Sequence, residues 1–241
     1  MQSIGRAFAL LETMAENAIP IGISQLSTLS GIPLPTVHRL VRTLTELGYL
    51  RQERSRRYVL SPRLIRLGDS SERTLTLFAR PRLTGLVDEL GETANLAMLD
   101  GDQIVYLTQV PSRYSVRMFT EIGRRMDPHC TAAGKAIMAG LPPGSALGIL
   151  KRTGMPSHTA TTITDRDRFM AQLAEVARQG YAVDEGEQEN GVRCVAVAVH
   201  DTPVRLAISL SGPATRMTDE LLRRAVPLLT DTARALSADL A

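Results

Sequence analysis

Hydrophobic residues recur at three- and four-residue spacing through the first 47 positions, which predicts three successive helices. The inward stripe of the first helix, over residues 3–16, is predicted to be Ile4, Ala7, Phe8, Leu11 and Met14 or Ala15. Leu26 and Leu29 predict the inward face of a short second helix, which ends at a tight turn made by Gly31. The third helix ends at Gly48 and is predicted to bury Val37, Leu40, Val41, Leu44 and Leu47.

A strand, a turn and a second strand follow Gly48 and reach Leu60. Two helices joined by a glycine turn and followed by such a hairpin predict a winged helix-turn-helix, whose second helix enters the DNA major groove. On the polar face of that helix, the candidate DNA contacts are Thr36, His38, Arg39 and Arg42. On the hairpin, or wing, the candidates for phosphate or minor-groove contacts are Arg54, Arg56 and Arg57.

The alternative interpretation is an ordinary helical hairpin with a solvated charged face. Charge distribution argues against it, because residues 1–66 contain nine arginines and four acidic residues, a net charge of +5. The remaining residues contain 19 basic and 21 acidic side chains, a net charge of −2. A small basic region on a slightly acidic body is typical of nucleic-acid binding. Tryptophan is absent and aromatic residues are few, which favours duplex DNA over a stacked single strand.

Residues 62–72 are predicted to connect two domains, because Ser61-Pro62 ends the wing and Gly68 interrupts the apolar pattern. A helical segment over 72–90 should follow, kinked or divided at Pro81.

From residue 92 the hydrophobic period changes to two, which predicts strands. The predicted strands cover residues 94–99, 104–110, 114–120, 181–183, 193–200 and 203–211. Helices are expected at 131–139, from 141 onwards, at 165–179 and at 218–240. The second domain is therefore predicted to be α+β, a mainly antiparallel sheet with helices before and after it.

No stretch is long and apolar enough to span a membrane, and the first residues carry no secretory signal. A cytoplasmic location is therefore expected. The two cysteines, Cys130 and Cys194, fit a reducing compartment without a disulfide framework.

Three blocks in the second domain, together with residues 31–49 in the first, resemble the IclR family of bacterial transcriptional regulators. The blocks are Pro128-His129-Cys130-Thr131-Ala-Ala-Gly134-Lys135, Asp184-Glu-Gly-Glu187-Gln-Glu-Asn-Gly191-Val-Arg193-Cys194 and Ala207-Ile-Ser209-Leu-Ser211-Gly212-Pro213. The resemblance implies a winged helix-turn-helix domain over 1–61, a linker helix over 62–79 and a GAF-like or profilin-like effector domain over 80–241. It also implies homodimers, often paired into dimers of dimers, on partly symmetric double-stranded DNA operators.

Effector contacts implied by the resemblance fall on Met118, Ala132, Ala133, Asp184, Val192, Cys194, Ser209 and Ser211. The small residues open space at a helix start, whose free N–H groups suit a carboxylate, so a small organic acid is the expected effector. Structural roles are the alternative, with serines that bond the backbone and alanines that pack closely. In one departure from the family, Pro35 replaces the usual serine before Thr36, and proline offers a phosphate neither a hydroxyl nor an N–H.

Two further hypotheses concern the cysteines. Zinc could be held by His129, Cys130, Cys194 and His200, but no CxxC or HxxxH spacing supports that site, so neither a metal nor a cofactor is expected. Cys130, with a pKa lowered by a helix start, could act as a nucleophile with His129 or His158 as its base. The favoured prediction is a ligand-responsive transcriptional regulator of a catabolic operon, not an enzyme. A cysteine-dependent GAF-like enzyme and a DNA-binding protein without a ligand are the alternatives.

Overall fold

The computed structural model describes the backbone of residues 2–17, 19–118 and 122–240, and their side chains other than those of residues 2, 16, 69 and 71–74. The helices are α1 (Gln2–Asn17), α2 (Ile23–Ser30), α3 (Leu34–Glu46), α4 (Arg63–Leu90), α5 (Ala132–Ala139), α6 (Pro143–Thr153), α7 (Arg166–Gln179) and α8 (Asp219–Leu240), with a 3-10 turn at Pro128–Cys130. The strands are β1 (Leu50–Gln52), β2 (Tyr58–Leu60), β3 (Thr93–Asp100), β4 (Gln103–Val110), β5 (Arg125–Met126), β6 (Ala182–Asp184), β7 (Val192–Val199) and β8 (Leu206–Pro213).

Contacts divide the chain into residues 1–73 and residues 74–241, called unit 1 and unit 2. The division falls inside α4, which continues through Gly68 and Pro81. The predicted interruption at Gly68 is therefore wrong. A single glycine costs a helix only about 1 kcal/mol relative to alanine, which its helix-forming neighbours can offset.

Unit 1 is the predicted winged helix-turn-helix. β1 and β2 form an antiparallel hairpin in which Leu50 faces Leu60. Ile21, just before α2, forms an isolated antiparallel bridge with Tyr58 of β2. Gly31 and Gly48 both have positive φ, which is why glycine can end α2 and α3 at these positions.

The buried faces of the unit 1 helices differ in part from the predicted ones. In α1, Leu10 and Met14 are buried, whereas Ile4 is 69% and Phe8 60% exposed. Leu29 and Leu47 are also exposed, although the other predicted core residues of α2 and α3 are buried. The apolar positions of α1 occupy two sides of the helix, and only the tertiary contacts decide which side enters the core.

Unit 2 is built on one six-stranded antiparallel sheet with the strand order β5-β4-β3-β8-β7-β6. One face packs against apolar residues of α4 and α8, such as Leu83 and Leu229. The other face packs against α5 and α7 and is rich in alanine, as at Ala97, Ala196 and Ala207. These small side chains let α5 approach the sheet closely, and the predicted α+β class is confirmed.

The predicted strand over 114–120 is wrong for residues 114–118, which form no strand, while residues 119 and 120 lie outside the described residues. The edge of the sheet beside β4 is β5 instead. Tyr114 and Val116 alternate with polar residues as in a strand, but both contact Arg216 instead of a neighbouring strand. The guanidinium of Arg216 lies 4.6 Å from the Tyr114 ring centroid and donates to the Val116 carbonyl.

Among the helices within the described ranges, each is too short or too polar to cross a lipid bilayer.

Candidate functional site

The exposed face of α3 carries the predicted cationic side chains. His38, Arg39 and Arg42 are exposed, and Thr36 is half-buried. Arg42 Nε donates to Glu46 Oε1 at 2.9 Å, an ion pair that raises the pKa of Arg42. Arg39 has no hydrogen-bond or ion-pair partner within the described part of the chain, so its guanidinium is free to reach a base edge.

The wing arginines fall into two groups. Arg54 and Arg56 lie in the turn between β1 and β2, and the described residues offer neither side chain a hydrogen-bond or ion-pair partner. Arg57 instead donates from Nη1 to the Pro20 carbonyl at 3.2 Å, which holds it towards the base of the wing. Arg54 and Arg56 are therefore better placed for an external anion than Arg57.

All eight residues expected to contact an effector line one cavity of unit 2, with a volume of about 40 Å³. The other residues of its wall are Tyr106, Arg124, Met126, Thr131, Gln188 and Glu189. The start of α5 faces this space, where Ala132 and Ala133 are buried and the Thr131 hydroxyl caps the helix by accepting from Gly134 N at 3.1 Å. The cavity has room for roughly two to four water molecules.

A chain of buried polar groups supports the serines of β8. Asn95 Nδ2 donates to Ser209 Oγ at 3.3 Å and to Ser211 Oγ at 3.1 Å. Gln109 Nε2 in turn donates to Asn95 Oδ1 at 2.9 Å. Because both hydroxyls accept from Asn95, each keeps its own proton for an acceptor in the cavity. The serines thus have a structural partner, the side chain of Asn95 instead of the backbone groups that the alternative predicted, and they still line the cavity.

Sequence reasoning missed Asn95, Gln109 and Arg124. Asn95 is a polar residue inside an otherwise apolar strand, a signal that could have marked it. Arg124 is the cation of the cavity wall, and it lies immediately before β5 with its side chain exposed.

Asp184 is nearly fully buried in the cavity wall, and burial raises its pKa to about 7. Its Oδ1 accepts from Glu187 N at 2.6 Å. Arg193, nearby in sequence, binds Glu185 and Asp219 and not Asp184. Asp184 therefore ionises near neutral pH and is a titrating group beside the cavity.

Lys135 lies on α5, outside the cavity lining, with its side chain fully buried. Its Nζ donates to the Val183 carbonyl at 3.1 Å and pairs with Glu187 Oε1. Glu187 Oε2 is buried without a hydrogen-bond partner among the described residues. The pair ties α5 to the loop between β6 and β7.

Neither cysteine has the properties of an activated nucleophile. Cys130 Sγ donates to Gln188 Oε1 at 2.8 Å, and burial, with neighbouring carboxylates, raises the pKa of Cys130. Burial likewise raises the pKa of Cys194, which lines the cavity. The expected lowering of the Cys130 pKa by a helix start is therefore wrong.

In the described part of the chain, potential metal ligands come together at His129, Cys130 and His158. This set contains neither Cys194 nor His200, which the zinc hypothesis from the sequence included.

Comparison with known proteins gives matches over both units. Residues 3–54 match the IclR helix-turn-helix domain, and residues 70–238 match the bacterial transcriptional regulator IclR C-terminal family. The HTH-type transcriptional regulator KdgR of Escherichia coli is 34% identical over 245 residues, covering 100% of this chain and 93% of KdgR. The acetate operon repressor of Salmonella typhimurium is 32% identical over 227 residues, covering 91% of this chain and 83% of the repressor. The crystal structure of Thermotoga maritima IclR superposes with a TM-score of 0.68 at 27% identity, covering 100% and 99% of the two chains.

Proposed function

The chain belongs to the IclR family of bacterial transcriptional regulators and is a DNA-binding regulator, and we propose that it controls its operon by sensing a small organic acid. Its named relatives are regulators and repressors of transcription, not enzymes. Operator binding requires the compartment that holds the chromosome, so we place the protein in the cytoplasm.

In this proposal, unit 1 reads the operator through α3. Arg39 is free to pair bidentately with a guanine, and Thr36 and His38 flank it near the start of the helix. Arg42 must first exchange Glu46 for a phosphate or base, which costs little because exposed ion pairs are weak. Arg54 and Arg56 hold backbone phosphates, while Arg57 contributes less because it bonds Pro20.

Replacing both free wing arginines should weaken binding to all DNA sequences alike. In an Arg54→Gln, Arg56→Asn double variant, asparagine tolerates the positive φ of residue 56, so the turn should persist. We expect the slope of log affinity against log salt to become shallower by roughly one to two, one for each lost phosphate contact. Fluorescence anisotropy on specific and random duplexes at several salt concentrations measures this slope. An unchanged slope would show that these side chains face solvent in the complex. Arg234→Ala, which removes an exposed arginine of unit 2, is the control and should leave the slope unchanged.

The effector proposal rests on one observation, the meeting of six separate segments at a single cavity whose wall combines a cation with hydroxyl donors. A carboxylate there can accept from Ser209 and Ser211, approach the N–H groups at the start of α5 and pair with Arg124. The small cavity favours acids of only a few non-hydrogen atoms. The acetate operon repressor is named for an organic acid, and we extend this class of effector to the present chain.

Calorimetric titration with carboxylates of graded size tests the proposal. Formate, acetate, propionate and benzoate should be compared with the neutral amides of the same shape. Binding of a small acid but not of its amide is the expected result. If every acid fails to bind or to change operator affinity, the alternative of a DNA-binding protein without an effector gains support.

We further propose that the chain acts as a homodimer through unit 1. An open apolar groove of about 540 Å³ is lined by Ile4, Phe8, Leu47, Leu64, Leu67 and neighbouring residues of α1, α3 and α4. Exposed apolar surface of this kind marks protein interaction sites. The occupant we assign is a second copy of the chain, since two half-sites of a partly symmetric operator require paired recognition helices. In this proposal, two such dimers pair through other surfaces to form a dimer of dimers.

Effector binding should weaken as the pH rises above 7, because Asp184 lies beside the bound anion. Its pKa of about 7 lies above the ordinary value of 3.8, so the carboxyl is neutral below pH 7 and negative above it. Only the neutral form accepts an anion without repulsion, so affinity should fall as the pH rises, by at most about tenfold for each pH unit above 7. Calorimetry between pH 6 and pH 9 on the wild type and Asp184→Asn measures this. The asparagine keeps the oxygen that accepts from Glu187 N but does not ionise, so the affinity of Asp184→Asn should not change with pH. If the affinities of the two proteins fall in parallel, another group causes the pH dependence.

A further inference from the structure

A thiol and two imidazoles meet in unit 2, outside the residues that line the cavity. One ring nitrogen of His129, one of His158 and Cys130 Sγ all lie within 4.8 Å of one another. His129 and Cys130 belong to the buried 3-10 turn before α5, whereas His158 comes from the loop between α6 and α7. The three residues are thus brought together by the fold and show no metal-binding spacing in the sequence.

The hydrogen bond of His129 leaves its ring neutral, with one free lone pair. Its Nε2 lies 3.0 Å from the Pro156 carbonyl oxygen, which can only accept, so Nε2 carries the proton. Nδ1 is then unprotonated, and it is buried without a hydrogen-bond partner among the described residues. Burial also lowers the pKa of His129, which favours the neutral ring. A buried ring nitrogen without a partner is uncommon and calls for an occupant.

His158 has a comparable arrangement at the surface. Its Nε2 lies 2.9 Å from Asp127 Oδ2, so the carboxylate fixes the tautomer and leaves Nδ1 with its lone pair. Metal-bound histidines commonly donate their other ring nitrogen to a carboxylate or a carbonyl in this way. The His158 side chain is 31% exposed, which gives an ion a route into the cluster.

We propose that His129, Cys130 and His158 form a binding site for a divalent transition metal, best suited to Zn²⁺. Two imidazoles and a thiolate are borderline and soft donors, which suit zinc and exclude magnesium and calcium as preferred ions. Three protein ligands leave the fourth tetrahedral position to solvent. Asp127 and Glu187 act electrostatically on both His129 and Cys130, and their negative charges favour an entering cation.

Zinc binding at this site would be coupled to effector binding in the proposed cavity. This coupling is the only part of the inference that rests on the proposed function. Without metal, the Cys130 S–H donates to Gln188 Oε1, and Gln188 lines the cavity. Zinc breaks the S–H bond, forms a Zn–S bond and releases one proton to the solvent, so Gln188 loses its donor. Occupancy of one site should then change the affinity of the other, and the effect must be reciprocal.

Cobalt and zinc titrations of the metal-free full-length chain test the site. Bound Co²⁺ should give thiolate-to-cobalt charge-transfer absorption, which Zn²⁺ then removes by competition. Cys130→Ser should abolish this band, and His158→Ala should weaken Zn²⁺ binding at least tenfold. His200→Ala removes an exposed imidazole elsewhere and should change neither result, and Cys194→Ser should keep the band.

Three outcomes would overturn the proposal: no thiolate band in the wild type, a band that survives Cys130→Ser, or equal zinc affinity in His158→Ala and His200→Ala. Thermal unfolding without metal establishes that the variants fold, since His158 is partly exposed and serine is nearly isosteric with cysteine. These readouts are independent of any effector or operator, so loss of the metal site would leave the proposed function standing.

Discussion

Lys135→Met is expected to lower the free energy of unfolding of unit 2 by about 3–5 kcal/mol. The substitution keeps the length and apolar stem of the side chain but removes the ammonium group. Glu187 then loses the partner of Oε1, while its Oε2 already lacks one among the described residues. A buried carboxylate without a counter-charge is costly, because burial takes its hydration away and nothing replaces it. Urea unfolding of the full-length chain, followed by circular dichroism, measures the loss.

A double-mutant cycle distinguishes the pair from simple loss of packing. Adding Glu187→Gln to Lys135→Met removes the stranded charge and should recover part of the stability. Arg234→Ala breaks an ion pair whose two side chains are 77% and 73% exposed, and it should cost less than about 1 kcal/mol. If Lys135→Met costs no more than Arg234→Ala, the pair is solvated and the argument from burial fails.

The Lys135–Glu187 pair should also matter for effector binding, because it holds one wall of the cavity. The loop after β6 is fixed by Glu187, whose carbonyl also accepts from the Thr162 hydroxyl at 2.6 Å. Asp184, Gln188 and Glu189 flank this point and line the cavity. Loosening the loop therefore removes preorganised contacts, which reduces affinity even when the protein remains folded.

Hydrophobic periodicity predicted most elements of unit 1, but not which side of each helix is buried. The buried positions of α3, such as Val37 and Val41, form one stripe, so the prediction failed only at Leu47. In α1, apolar residues occupy two sides, and the sequence alone does not rank Leu10 above Phe8. The exposed side lines the apolar groove that we assign to a second copy of the chain. The failure at Phe8 and Leu47 is thus explained if these residues serve an interface.

The residues themselves predicted less of the cavity than of the elements of unit 1. Its eight expected members came from the family resemblance, since alanines and serines are equally typical of close packing. Asn95 and Arg124 join the site through cross-strand and loop contacts, which depend on register. Such contacts also explain why Arg193 turns to Glu185 and Asp219 instead of Asp184, and why His158 joins His129 across 29 positions. Periodicity describes one element at a time and carries no information about these meetings.

Ala133→Leu is expected to abolish binding of the small acid and the response of operator affinity to it. Ala133 is buried at the start of α5 and lines a cavity of only about 40 Å³, which a leucine side chain would fill. Overpacking should also destabilise unit 2 by about 1–3 kcal/mol. Operator binding without the acid should persist, because the substitution lies in unit 2 and the recognition helix in unit 1. Calorimetric titration with acetate and propionate, beside a gel-shift assay of operator release, measures both functions.

Ala136→Leu is the matched control, because Ala136 is buried on the same helix, is one turn further along and lies outside the cavity lining. It imposes a comparable packing strain without filling the cavity, so it should keep acid binding. Equal loss of binding in both variants would attribute the effect to strain in α5. Wild-type binding by Ala133→Leu would place the effector elsewhere in the chain. Loss in Ala133→Leu alone would assign the acid to the space between α5 and the serines of β8, where the hydroxyl donors and the helix start face one another.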